Sequence, residues 1–206
     1  MCVAFAPNHF FRSGISQYLH RAPEHHALKS FGIAKIDASL RVGLVLSHTY
    51  GEGVGREVEG FDTLTPVLEE IAQADGLVLG SPIYFGDVTG QMRTFLERLA
   101  FPWLSYNDYS MTAPKRMPVV LIETMNGTPE RNNSNGYGSM EHCLSAALGQ
   151  PERIVAYNTY QVKNYDRFEL ASFSEEAKRR WRDEHWAEDL QKAFDAGKKM
   201  AERILG

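Results

Sequence analysis

Between an apolar run and an amphipathic helical pattern, this chain carries Gly80-Ser81-Pro82-Ile83-Tyr84-Phe85-Gly86-Asp87. The run before it, Gly76-Leu77-Val78-Leu79, reads as a short buried strand. The pattern after it places Val88, Met92, Phe95, Leu96 and Leu99 on one helical face, predicting a helix from about Val88 to Ala100. A strand that stops at Ser-Pro, passes an aromatic pair and a glycine, and then starts a helix makes a loop at the strand's carboxyl end. In open α/β sheets that is where ligands bind.

The rest of the chain alternates in the same way, which favours a parallel sheet covered by helices. Met1–Ala6 is a candidate first strand, with a helix start at Ser13. Phe31–Leu40 alternates partially and Val42–Leu46 is a short apolar run. The glycines at 51, 53, 55 and 60 mark a loop. Asp62 or Thr63 can cap a helix whose stripe is Leu64, Val67, Leu68 and Ile71. Phe101-Pro102-Trp103-Leu104 breaks the following helix, and residues 105–116 form an excursion. Strands are expected at Pro118–Ile122 and Ile154–Tyr160, with a helix over Tyr137–Leu148 between them. The tail reads as one long helix. Ser172 and Glu175 form its capping box, and Ala177, Trp181, Leu190 and Phe194 form part of an apolar stripe with Lys and Arg scattered outside it. Trp181 and Trp186 pack on the sheet or contribute to an oligomer contact.

Composition removes several classes. At 206 residues the chain is one ordinary domain, 1–206, and can bury a core unaided. Its 22 basic and 26 acidic residues give a net charge of -4, which speaks against nucleic acid as the main partner. No apolar run reaches bilayer length and no secretory leader pattern opens the sequence, so no membrane partner and a cytoplasmic location are expected. Cys2 and Cys143 are far apart and read as unpaired thiols. The pair His25-His26 lacks further ligands at useful spacing, so no metal is expected.

Three strings within Leu64–Asn126 carry a family likeness: Leu64-Thr65-Pro66-Val67-Leu68-Glu69-Glu70-Ile71, then Ala74-Asp75-Gly76-Leu77-Val78-Leu79-Gly80-Ser81-Pro82-Ile83-Tyr84-Phe85-Gly86, then Gly90-Gln91-Met92-Arg93-Thr94-Phe95-Leu96-Glu97-Arg98-Leu99. Together they resemble the NADPH-dependent FMN reductase-like branch of the flavodoxin-like flavoproteins. The resemblance implies a flavodoxin-like three-layer sandwich, with a parallel five-stranded sheet and helices on both faces. The first sixty residues depart from the family pattern. Where relatives carry a Gly-Ser-Pro-Arg phosphate loop, this chain reads Ala6-Pro7-Asn8-His9-Phe10-Phe11-Arg12-Ser13-Gly14-Ile15-Ser16, and no Cys-x-x-Cys precedes Leu64. The missing cysteine cluster argues against an iron–sulfur centre.

By that resemblance the cofactor is FMN and the electron donor NAD(P)H. The cofactor-binding residues are then Ser81, Pro82, Ile83, Tyr84, Phe85 and Gly86, with Thr124, Met125 and Asn126 at the end of the next strand. Tyr84 and Phe85 offer ring contacts or else are core aromatics. Gly86 lets backbone approach a ligand or else is only a turn residue. Ser13 and Ser16 can bind an anion at a helix start, with Arg12 adding charge, or else form an ordinary cap. No side chain is needed as a catalytic nucleophile, because the cofactor carries the chemistry. The expected activity is hydride transfer from nicotinamide to flavin and onward to a small acceptor such as a quinone or free flavin. The expected assembly is a homodimer or homotetramer, with Phe101–Tyr106 at an interface or folded as a lid on its own domain. The competing readings are a flavodoxin-like protein that has lost effective FMN binding and acts as an interaction module, and a non-catalytic flavin carrier.

Overall fold

The computed structural model describes residues 31–32, 42–47, 64–131, 135–162 and 164–206. The expected first strand at 1–6, the helix start at Ser13, the loop glycines at 51–60 and the caps Asp62 and Thr63 lie outside the described residues.

A sheet organises the chain. Its strands are β1 (Phe31–Gly32), β2 (Val42–Ser47), β3 (Gly76–Tyr84), β4 (Asp87–Val88), β5 (Val119–Thr124) and β6 (Glu152–Ala156). The order across the sheet is β1-β2-β3-β5-β6, with β4 folded back on β3. β2, β3, β5 and β6 run parallel, as Leu46↔Gly80, Leu79↔Leu121 and Ile122↔Ile154 show. β1 is antiparallel to β2. Four parallel strands are therefore seen among the described residues, and the buried, unalternating runs of β3 and β5 fit central strands covered on both faces.

The helices are α1 (Thr65–Ala72), α2 (Gly90–Ala100), α3 (Gly138–Ala147) and α4 (Glu175–Leu205). Leu77, Leu79 and Ser81 of β3 share a face with Val119, Leu121 and Glu123 of β5 by register. Ser81 on that face reaches the start of α2, and Glu123 meets the chain just before α3. The opposite face carries α4. At Gly76 a Cβ would lie 3.0 Å from Met200 Sδ and 3.2 Å from Ile204 Cδ1, so the absent side chain makes room for the helix. The core joins Val67 and Ile71 of α1, Met92, Phe95, Leu96 and Leu99 of α2, Leu144 of α3 and Ala193, Ala196 and Met200 of α4 to the strands. Full burial of each large side chain contributes roughly 1.5–3 kcal/mol.

Several boundaries differ from the sequence expectation. β3 does not stop near Leu79 but runs on to Tyr84. It can, because among the described residues β2 pairs with it only as far as Gly80, so Pro82 lacks an N–H where no described β2 partner faces it. α2 begins at Gly90 rather than Val88, capped by Thr89, whose Oγ1 accepts from Met92 N–H. β6 ends at Ala156 rather than Tyr160. α4 is capped by Ser174, not Ser172, and its buried positions are Lys178, Ala193, Ala196 and Met200 rather than the expected apolar stripe. Alanines bring the helix close to the sheet, and Trp181, Leu190 and Phe194 stay half-buried. No described helix is long and apolar enough to cross a membrane.

Candidate functional site

The carboxyl ends of β3, β5 and β6 bring three chain segments together. The first is the hairpin of β3 and β4. Ile83 pairs with Val88 and Tyr84 with Asp87, so Phe85 and Gly86 are the two central residues of the turn. Both have positive φ, +55° and +82°, as a primed hairpin turn requires. Glycine adopts this conformation freely, whereas for phenylalanine it is strained. The Phe85 ring is fully exposed and Tyr84 is 42% exposed, so neither serves as a core aromatic.

The residues beneath the turn hold it. Ser81 is buried; its Oγ donates to Pro82 O at 2.8 Å and accepts from Thr89 N–H at 3.1 Å, tying the strand to the α2 cap. Asp87 accepts from Arg93 Nη2 at 2.7 Å and from its neighbour Val88 N–H at 2.7 Å. Of the six expected site residues here, Ser81 and Pro82 are buried and Ile83 is half-buried. Tyr84, Phe85 and Gly86 are the ones the strand carries outward.

The second segment follows β5. Register places Thr124 beside Pro82, so the end of β5 adjoins the hairpin. Thr124 and Met125 are buried, while Asn126 and Gly127 are half-buried. The third follows β6 and is stitched to the second. Asn158 N–H donates to Gly127 O at 2.9 Å, and Thr159 donates to Met125 O through N–H at 3.0 Å and Oγ1 at 3.1 Å. Asn158 has φ +48°, a region asparagine tolerates better than most residues.

Into this junction reaches Lys178, from the first turn of α4. Its side chain is 3% exposed. Nζ donates to Asn126 Oδ1 at 2.5 Å, Asn158 Oδ1 at 2.9 Å and Thr159 O at 2.9 Å, and lies 5.5 Å from the centroid of the Phe173 ring. All its acceptors are neutral, and no carboxylate among the described residues pairs with it. Burial alone lowers its pKa from the usual lysine range to about 8.

A second buried charge lies behind the hairpin. Glu123 is fully buried, with Arg153 Nη2 2.7 Å from Oε1 and donating to Oε2 at 2.9 Å. Oε1 accepts no directed hydrogen bond within the described chain. Burial raises the Glu123 pKa and the Arg153 hydrogen bond opposes that rise. Burial also pushes the phenol of neighbouring Tyr137 well up. The backbone of Gly136 closes over the pair: a Cβ there would sit 2.2 Å from both Glu123 Oε1 and Arg153 Nη2. Asn135 N–H donates to Gly86 O at 2.7 Å, and Gly136 bridges Asp87, so this seam supports the hairpin turn.

Sequence reading missed both Lys178 and the Glu123–Arg153 pair. Lys178 carried a signal, since stepping back from Met200 by threes and fours through Ala196, Ala193, Asp189, His185 and Arg182 reaches it on the core face of α4. Glu123 carried one too, as an acid at the end of an otherwise apolar strand. Ser13 and Ser16 lie outside the described residues. Among the described residues no group of three or more His, Cys, Asp or Glu could hold a metal ion.

The edge offers two exposed aromatic rings, a glycine in the turn and two half-buried side-chain amides. That donor set fits a planar ring whose rim carries carbonyl oxygens.

Residues 28–135 match the model of a family described as NADPH-dependent FMN reductase. Among solved structures, Smu.1420 from Streptococcus mutans UA159 is similar at 12% identity, covering 66% of this chain and 68% of that one, with a TM-score of 0.45. An azoreductase from Bacillus anthracis str. Sterne is similar at 15% identity over 64% of this chain and 60% of that one, TM-score 0.45. An NAD(P)H:quinone oxidoreductase from Methanothermobacter marburgensis follows at 14% identity over 68% and 64%, TM-score 0.41. The chain thus spans 60–68% of the lengths of these three proteins.

Proposed function

This chain belongs to the NADPH-dependent FMN reductase family, and we propose that it acts as an FMN-dependent NAD(P)H oxidoreductase passing electrons to a small acceptor such as a quinone or free flavin. The observation that carries this reading is the β3–β4 turn, whose rings stand outward at the carboxyl edge instead of filling the core. FMN, when bound, supplies the hydride chemistry.

The chain's own residues bind and orient. Tyr84 and Phe85 give the flat ring an aromatic wall. The backbone N–H groups of Phe85 and Gly86 face the polar rim, and Gly86 keeps that approach clear of a side chain. Thr124, Met125 and Asn126 line the pyrimidine or ribityl side. Ser13 and Ser16 anchor the phosphate. The chain works as a single flavodoxin-like domain. The chain works in the cytoplasm, as a homodimer or homotetramer.

A second reading, loss of effective FMN binding, is favoured by the Ala6–Ser16 stretch, which lacks the family's phosphate-loop pattern. One experiment separates the two. Purified protein is titrated with FMN and then given NADPH without oxygen. Flavin uptake followed by bleaching supports the oxidoreductase, and uptake without bleaching supports an electron carrier. Protein that takes up no FMN overturns the oxidoreductase and the carrier and supports the loss of FMN binding, leaving the interaction module.

A further inference from the structure

We propose that Lys178 is a positioning residue that fixes the amides of Asn126 and Asn158 so that their N–H ends face outward, making this corner of the edge a donor site for ring carbonyls. The ligand half of the proposal rests on the FMN reading above.

The argument begins with donor chemistry. A lysine ammonium has three N–H donors and no acceptor. Whichever amide atom faces it must be oxygen, so Lys178 decides the orientation of both asparagines, at 2.5 Å and 2.9 Å. Each amide nitrogen is then the end turned away from the buried ammonium. Both asparagines are half-buried, so they reach from the interior to the surface of the edge. The third donor goes to Thr159 O, which saturates the ammonium. With all three donors engaged, Lys178 cannot itself swing out to a ligand without giving up one of these bonds; its role is exercised through the amides.

The junction also explains why a lysine stands here at all. Its acceptors come from the segments after β5 and β6, so it joins both to α4. A neutral side chain could pack there, but only a donor-only group imposes one orientation on two amides. The groups facing Nζ are Asn126 after β5, Asn158 and Thr159 after β6, and the Phe173 ring ahead of α4. On its own helix Glu175, three residues earlier, pairs with Arg179. Deprotonation would leave two donors and a lone pair for three acceptors, releasing one amide to turn over.

The test uses Asn126→Asp and Lys178→Met with FMN as the probe. Asn126→Asp keeps an oxygen on Lys178 and replaces the outward donor by an acceptor. Its melting temperature is expected to be no lower than wild type, while FMN binds about tenfold or more weakly. Wild-type affinity is expected to fall as pH rises through about 8, and Lys178→Met, if it folds, to lack that fall. The proposal is overturned if Asn126→Asp binds FMN as tightly as wild type, or if wild-type affinity is flat across that pH range. Wild-type protein that takes up no FMN instead overturns the flavin reading together with the ligand assigned here. That failure shows in the first titration, before any substitution is made.

Discussion

Phe85 holds a conformation that costs an ordinary side chain roughly 1–2 kcal/mol relative to glycine, and its ring gains nothing back by burial. Residues kept in sparsely populated backbone regions cluster where function over-determines them. Asparagine is preferred at the first position of a primed turn before glycine. Phe85→Asn should therefore stabilise the fold by about 1 kcal/mol in denaturant unfolding while weakening FMN binding. A variant that is both more stable and equally able to bind flavin would remove Phe85 from the site. Whether an aromatic pair in such a loop is buried was not legible in the sequence, since the letters Tyr-Phe-Gly serve a core turn equally well. Contact with the rest of the fold decides it: the two-residue turn lifts Phe85 clear of the sheet.

At the scale of elements, the site depends on a seam between distant parts of the chain. The segment before α3 lies on the Glu123–Arg153 pair and hydrogen-bonds the hairpin turn through Asn135. Gly136→Ala places a methyl 2.2 Å from both charged groups at a φ of +51°. Overpacking and backbone strain together should cost about 3 kcal/mol, measured as a shift of the unfolding midpoint. FMN binding should weaken beyond what that shift explains, because the turn loses its support. The strand–turn–helix unit from Gly76 to Ala100 could be read from local pattern, because apolar period, cap and glycine all lie within it. The seam could not. Glu123, Gly136 and Arg153 come from three separate stretches, and only sheet pairing brings them within contact. The end of β3 differs for a related reason: Pro82 breaks a strand flanked on both sides, but among the described residues the β2 pairing stops at Leu46↔Gly80.

For the whole molecule, the excursion after α2 is the most conspicuous surface. Leu104 bridges Met111, and Phe101, Tyr106 and Tyr109 stand exposed with their rings in edge-to-face contact, at centroid distances of 6.2 and 6.4 Å. Three clustered, exposed aromatics on one protrusion suit an interface more than bare solvent. If this surface joins two copies of the chain, Tyr106→Glu should convert the dimer to monomer in sedimentation velocity without lowering the melting temperature. An unchanged assembly state would place the contact elsewhere. The composition made the aromatic segment easy to notice, but which rings fold inward depends on the 3-10 turn Phe101–Trp103, which leaves Phe101 exposed and Trp103 half-buried.

Lys178 stands near the start of the last helix, and the segments it clasps were laid down some twenty to fifty residues earlier. During synthesis the strands and α2 leave the ribosome before α4, so the clasp waits for that helix. A polypeptide arrested before α4 emerges would carry the hairpin but not its lock. A chain whose last described helix is absent or undocked thus keeps its hairpin but leaves Asn126 and Asn158 without the ammonium that orients them.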